Sequence, residues 1–282
     1  MMNEEQHTVC HPEVTTRSIT KYQCARGQWT QDDILIEETP IALEYNGIAY
    51  TVMMGTPRDL EMFALGFSLS EGIIEHPRDV HDIDVIHNEQ GCTVSIELAN
   101  RCVARLKARR RSMAGVTGCG ICGTEQLSQV ARCLMPLPTT AQFCFDYLDH
   151  SLKALEQQQR LNQLTGTTHA AAYLDQHGDV QALFEDVGRH IALDKLLGWA
   201  SRQQVKGGAV LVTSRASFEM VQKVAACGFE ILLALSGPTS MAVELAERLN
   251  VTLCGYCREG RLNIYAHAER VRYQEIAQRD VG

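Results

Sequence analysis

The residues best placed to do chemistry are two thiols, Cys119 and Cys122, set in Gly118-Cys119-Gly120-Ile121-Cys122-Gly123. Upstream, Arg101, Arg105, Lys107, Arg109, Arg110 and Arg111 form a cationic run without an acid. Downstream, Leu127, Val130, Ala131 and Leu134 recur at helical spacing after Thr124. Nearby cations and the positive end of a helix favour thiolate over thiol, and bring a cysteine pKa from about 8.5 to about 3.5–7.5. The pattern predicts a nucleophilic cysteine at neutral pH, on a glycine-rich loop that can swing or let a partner's backbone come close. Two other chemistries share the spacing. C-x-x-C is also a zinc knuckle, and Cys254 with Cys257 supplies a second one. Zinc modules place their knuckles within roughly 20 residues of each other, whereas most of the chain separates these pairs. A thioredoxin-like redox pair follows a strand and opens a long helix, a setting that the glycines between Gly115 and Gly123 argue against.

A chain of 282 residues with 45% hydrophobic content can bury a sizeable core, as one large domain or two small ones. Its net charge of −8 argues against general nucleic-acid binding, which needs a broad basic surface. The basic cluster at 101–111 suits one small polyanion, one acidic partner or a solvated helix face. No run approaches the length of a membrane span and the N-terminus lacks a signal-peptide pattern, so the expected compartment is the cytoplasm, without membrane contact. Eleven cysteines at irregular spacing do not describe a disulfide framework. Cys92, Cys102, Cys133, Cys144 and Cys227 are expected to be small buried hydrophobes.

Three stretches follow from the pattern: a loosely ordered polar arm at 1–30, a smaller N-terminal α+β part at 31–135 carrying the C-x-x-C loop, and an α/β domain at 139–282. In the first folded part, Asn46-Gly47 between apolar runs predicts a two-residue hairpin turn. Thr56, Pro57 and Asp59 read as the start of a helix carrying Leu60, Phe63, Ala64 and Phe67, with Gly72 closing it. A β segment is expected near Cys92–Leu98. After Pro136 and Pro138, an amphipathic helix with Phe145, Leu148, Leu152 and Leu155 should run to Gly166. Val180–Phe184, Ala209–Thr213, Ile231–Ser236 and Val251–Tyr256 then alternate with helical patterns, which predicts a mixed or parallel sheet with helices on both faces.

Open α/β sheets bind ligands beyond the carboxyl ends of their strands. The residues there are polar: Glu185, Asp186, Gly188, Arg189 and His190; Ser214, Arg215 and Ser217; Gly237, Thr239 and Ser240; and Cys257 to Arg261. They read either as an anion pocket or as the caps and turns that any such fold requires. His169, among small neutral residues, is either a structural histidine or an acid/base or phosphate-contacting group. Glu185, Asp186 and His190 could form an acid/base group, and Glu185–Arg189 a surface ion pair.

These segments together resemble the FdhD/NarQ family of formate dehydrogenase accessory proteins. The resemblance rests on Tyr45-Asn46-Gly47, Phe63–Phe67, Ser70–Ile74, the arginine-flanked Gly118–Gly123, Thr168–Ala171, Ser214–Met220 and Tyr256–Arg261. Its most specific block is Glu185–Lys195. The resemblance implies a cytidine-deaminase-like α/β fold and a sulfur carrier that loads a persulfide on Cys119, with Cys122 assisting. It implies that 139–282 is a cofactor-binding domain for the bis(molybdopterin guanine dinucleotide) form of molybdenum, with GDP as a surrogate. Tyr256, Cys257, Arg258, Glu259, Gly260 and Arg261 match its cofactor-binding segment, and Ser214, Arg215, His169 and His190 are further candidates. The implied partners are a cysteine desulfurase, the formate dehydrogenase catalytic subunit and a second copy in a homodimer; no resident metal is expected. Two rivals remain. A zinc deaminase needs H-x-E or C-x-E ahead of P-C-x-x-C, an order this chain lacks. A non-catalytic chaperone of cofactor and dehydrogenase would need no persulfide. Cys254 leaves adventitious metal binding open.

Overall fold

Asn46 and Gly47 both take positive φ, 48° and 73°, as a two-residue hairpin turn requires. They join β3 (Thr39–Tyr45) to β4 (Ile48–Gly55) in a computed structural model that describes residues 13–104, 106 and 133–273. β6 (Gly91–Leu98) lies parallel to β3 and β5 (Val80–Asn88) antiparallel to β6, giving the sheet order β4-β3-β6-β5. Ile41, Leu43 and Tyr45 on β3, and Val94, Ile96 and Leu98 on β6, alternate inward and are buried. Helix α1 (Leu60–Ser70) covers them with Leu60, Phe63, Ala64 and Phe67. Gly72, at φ 68°, follows the helix end as expected. The helix start differs from expectation. Asp59 occupies the N-cap without a side-chain hydrogen bond, and Thr56 Oγ1 instead accepts from Val187 N at 3.3 Å.

The reading of residues 1–30 as an arm is corrected for its described part. Val14–Gln23 (β1) and Gly27–Ile36 (β2) pair antiparallel as a separate two-stranded ribbon. Their apolar residues are too few and too interrupted to signal a strand, although the Thr, Ile, Tyr and Trp content favours one.

The second sheet has the order β13-β12-β11-β10-β8-β9. β10 (Ala209–Val212), β11 (Ile231–Ala234) and β12 (Thr252–Arg258) run parallel. β8 (His169–Leu174) is antiparallel to β10, β9 (Val180–Asp186) to β8, and β13 (Arg261–Ala266) to β12. The fold is therefore mixed α/β. One face packs on α4 (Arg189–Arg202), α5 (Phe218–Ala226) and α6 (Ser240–Leu249), through residues such as Leu193, Leu196, Val221, Val224 and Leu245. The other face packs on Phe143, Leu148 and Leu155, the last two from α2 (Leu148–Gln158). The expected single helix to Gly166 breaks at Gln159, and α3 (Arg160–Thr165) completes it. A short pair, β7 (Phe143–Cys144) with β14 (Val271–Arg272), closes the described chain. Among the described residues no helix is long and apolar enough to cross a membrane.

The two parts meet where α1 crosses α4. A Cβ on Gly66 would lie 1.8 Å from Asp194 O, and one on Gly198 would lie 2.0 Å from Met62 O, so glycine is required at both crossing points. Ile191 of α4 joins the core of the first part. Of the cysteines expected to be buried, Cys92 and Cys102 are; Cys133 is exposed and Cys144 and Cys227 are half-buried.

Candidate functional site

Because β10, β11 and β12 run parallel, the segments that follow them emerge at one edge. The antiparallel β8 begins there, and the register pairs its first residue, His169, with Asp186, the last of β9. Ser214, Arg215 and Ser217 follow β10, while Ser236, Gly237 and Thr239 follow β11. Thr239 N donates to Ala216 O at 3.1 Å and Tyr256 N to Ser236 O at 3.3 Å, which fixes the three connections against one another. Tyr256 has φ 51° and remains 49% exposed. Its ring lies so close to Gly237 that a Cβ there would come within 2.6 Å of Tyr256 Oη. The edge thus gathers His169, His190, Ser214, Arg215 and Tyr256.

Three buried side-chain atoms at this edge make no hydrogen bond among the described residues: Arg189 Nε, in the first turn of α4, His190 Nε2 beside it, and Ser217 Oγ, at the N-cap of α5. Unpartnered buried donors beside helix N-termini suit an anion. Burial and the charge of Arg189 lower the pKa of His169, so its ring is neutral at pH 7. Burial also lowers His190, although Glu219, whose Oε2 lies 2.8 Å from His190 Nε2, acts in the opposite direction.

The acid/base group expected from Glu185, Asp186 and His190 is not assembled. Glu185 accepts from Leu161 N and Asn162 N, both at 2.8 Å, and so caps α3. Asp186 is fully buried; it accepts from Lys195 Nζ at 2.7 Å, Thr56 N at 3.0 Å and Gly188 N at 2.8 Å. The expected Glu185–Arg189 ion pair is absent among the described residues because the cap takes both Glu185 oxygens. A second buried group lies at the joint. Lys223 Nζ contacts Asp194 Oδ2 at 3.0 Å, Glu71 Oε1 at 2.9 Å and Ser70 Oγ at 2.9 Å, and these acids keep Lys223 protonated against the cost of its burial. The only sequence sign of these groups was Asp194-Lys195 inside an apolar helical pattern, charges where a core position is due.

The Tyr256–Arg261 segment is not a loop after a strand. It is a β-hairpin in which Glu259 and Gly260 connect Arg258 to Arg261, with Gly260 at φ 70°. Arg258 Nη1 donates to Leu235 O and to Cys257 O, so this cation secures backbone. Gly260 N donates to Asp149 Oδ1 at 2.7 Å, and Glu259 lies 3.5 Å from Lys153. Arg261 is exposed. Cys254 and Cys257 are both fully buried. Burial pushes Cys257 up to about 11 and Cys254 higher still, which holds both as thiols at neutral pH.

Cys119, Cys122 and the glycines around them lie outside the described residues. The chain on either side is fixed. Before the segment, Arg101 pairs with the buried Asp79, which also accepts from Glu75 N and His76 N. After it, Thr140 N and Ala141 N donate to Glu230, which in turn pairs with the fully buried Arg270 at 2.9 Å.

The model of the FdhD/NarQ family matches residues 36–272, which include the cysteine segment and the whole sheet edge. This chain belongs to the FdhD/NarQ family. It is also similar to a solved crystal structure from Desulfotalea psychrophila, described as a formate dehydrogenase accessory protein. The two are 26% identical with a TM-score of 0.75, and the match covers 93% of this chain and 100% of that one. The FdhD/NarQ match leaves out β1 and all but the last residue of β2.

Proposed function

We propose that this protein is a formate dehydrogenase accessory protein that carries sulfur from a cysteine desulfurase to the molybdenum of a bis(molybdopterin guanine dinucleotide) substrate. The observation that carries the reading is that one FdhD/NarQ match spans both a cation-flanked C-x-x-C and an edge with unpartnered buried donors. The Cys119 thiolate attacks the outer sulfur of the desulfurase persulfide. The desulfurase thiolate leaves and a new persulfide forms on Cys119, with no net oxidation. For delivery, the Cys122 thiolate attacks Cys119 Sγ and releases the outer sulfur as sulfide, leaving a Cys119–Cys122 disulfide that a cellular dithiol reduces. The sulfide replaces an oxygen ligand of molybdenum, which takes up protons and leaves as water.

At the sheet edge, the N-termini of α4 and α5, Arg189 and Ser217 supply donors for the substrate's phosphates, while Ser214 and Arg215 extend that surface. Tyr256 offers an exposed ring for a guanine to stack on, and Arg261 an uncommitted cation. Neutral His169 donates or accepts a hydrogen bond there without adding charge. His190, whose Nε2 lies 2.8 Å from Glu219 Oε2, lies beside it.

The test is replacement of Cys119 by alanine. The variant should fold and should fail to mature formate dehydrogenase, whereas Cys122→Ala should load sulfur and deliver it slowly. Full maturation by Cys119→Ala would leave only the role of a non-catalytic chaperone.

A further inference from the structure

At the end of the sheet away from His169, β8 closes at Leu174, opposite Ala209, the first residue of β10. Beside that end lies a cavity of about 880 Å³, within the range of about 300–1,000 Å³ usual for small-ligand pockets. Its walls come from the turn after β8, from Lys206-Gly207-Gly208 before β10, and from the β7–β14 pair with its neighbours. It shares no lining residue with the edge that gathers Ser214, Arg215 and Tyr256.

Two cations, Lys206 and Arg272, and one acid, Asp175, line this cavity in a chain whose net charge is −8. The acid is taken up by its own turn: Asp175 Oδ1 accepts from His177 N at 2.8 Å and Asp179 N at 3.1 Å, and Oδ2 from Gln181 Nε2 at 2.8 Å. The side chains of Lys206 and Arg272 make no hydrogen bond or ion pair with another described residue. Tyr173 supplies a third donor. It is only 7% exposed, and its ring packs 6.0 Å from Trp199 and 6.1 Å from Phe229. Its hydroxyl reaches the cavity wall, where a Cβ on Gly208 would lie 2.7 Å from Tyr173 Oη. That hydroxyl makes no hydrogen bond with a described residue, although a polar group on so buried a side chain ordinarily has a partner. Burial raises its pKa and the charge of Asp175 acts in the same direction, so it keeps its proton at neutral pH and can donate. Two further rings border the cavity. Tyr273 is 60% exposed and braced by Phe145, with centroids 5.9 Å apart, and Tyr147 is half-buried beside His177. Rings held in this way offer faces for stacking.

Free lysine, arginine and phenol donors on three separate segments match the three terminal oxygens of a phosphate monoester, where a carboxylate has only two. We propose that this cavity is a second binding site, which takes a small aromatic phosphate. The phosphate meets Lys206, Arg272 and Tyr173 Oη, and the ring lies against Tyr147 and Tyr273. The site rests on no step of sulfur transfer.

The test is calorimetry on the full chain with phenyl phosphate as the probe. The wild type should bind it saturably, and Lys206→Ala/Arg272→Ala should weaken binding at least tenfold, about 1.4 kcal/mol. Both cations are exposed, so this variant should fold. Tyr173→Phe keeps the ring and removes the hydroxyl, and should cost about tenfold, as loss of a hydrogen bond to a charged group does. Phenol and inorganic phosphate, the two halves of the probe, should each bind more weakly than the whole. Arg215→Ala/Arg261→Ala, at the other edge, should leave the affinity unchanged. No saturable binding, equal affinity in Lys206→Ala/Arg272→Ala, or binding lost in Arg215→Ala/Arg261→Ala would overturn the proposal. Inorganic phosphate binding as tightly as phenyl phosphate would contradict the ring contact. Should Tyr173→Phe fail to fold, the cation variant decides alone.

Discussion

Replacing Gly66 with alanine tests the joint that holds the two parts together. In an ordinary helix interior this change stabilises by about 0.8–1.0 kcal/mol, because alanine restricts the unfolded chain more than glycine does. Here the new Cβ would lie 1.8 Å from Asp194 O and 2.7 Å from Gly198 N, both backbone atoms of the facing helix. To reach the 3.4 Å at which ordinary contact begins, α1 and α4 must part by about 1.6 Å. That movement loosens Phe63 and Phe67 on one side and the Lys223–Asp194–Ser70 group on the other. Overpacking typically costs about 1–3 kcal/mol, and clashes with backbone belong at the upper end, so the net loss should be about 2 kcal/mol. For a chain of this size that corresponds to a fall in Tm of about 4–8 °C. Urea unfolding followed by far-UV circular dichroism measures it directly. Gly198→Ala should behave alike, since its Cβ would lie 2.0 Å from Met62 O, and the double variant should lose less than the sum because the first change has already parted the helices. A Gly66→Ala protein as stable as the wild type would refute the close-approach argument.

Three further outcomes follow. Lys195→Met leaves the fully buried Asp186 without its cation and should cost about 3–5 kcal/mol, with much of the loss restored in Asp186→Asn/Lys195→Met. Burial pulls Glu230 upward, but hydrogen bonds from Thr140, Ala141 and Arg270 outweigh it and hold its pKa below the usual 4.5. The stability from this group is therefore present above pH 4.5 and lost as pH falls through the lowered value, so Glu230→Gln should destabilise at pH 7 and flatten the acid limb of unfolding; an unchanged acid limb would contradict the assignment. Calorimetry with GDP should show binding that weakens at least tenfold, about 1.4 kcal/mol, in Arg215→Ala/Arg261→Ala, and equal affinity would remove these cations from the site.

Sequence pattern carries some of these features and not others, for identifiable reasons. The β3–β4 turn was legible because Asn-Gly answers a purely local demand for positive φ. The apolar cores of β10, β11 and β12 were legible because strands buried on both faces read as unbroken hydrophobic runs. β8 was not read as a strand because His169-Ala170-Ala171-Ala172 has little β propensity; its place is set by β10 and β9 on either side, which is tertiary information. β13 was hidden because Cys257–Arg261 was read as the segment after a strand ending at Tyr256, although Gly260 marks the turn. The candidate edge was located from strand ends alone, since their convergence follows from parallel topology. The destinations of its charged residues could not be read, because Thr56 meets Asp186, and Lys223 meets Ser70, across more than a hundred residues of chain.

The central claim is that Cys119 holds sulfur in transit, and one measurement addresses it most directly. The full-length protein is incubated with a cysteine desulfurase and free cysteine carrying labelled sulfur, and Cys119 and Cys122 are then read by peptide mass spectrometry. The account predicts one added labelled sulfur on Cys119, retained in Cys122→Ala and absent in Cys119→Ala. It predicts further that this label moves to the molybdenum substrate when that is supplied. Unmodified Cys119 under conditions in which the desulfurase itself carries persulfide would contradict the account.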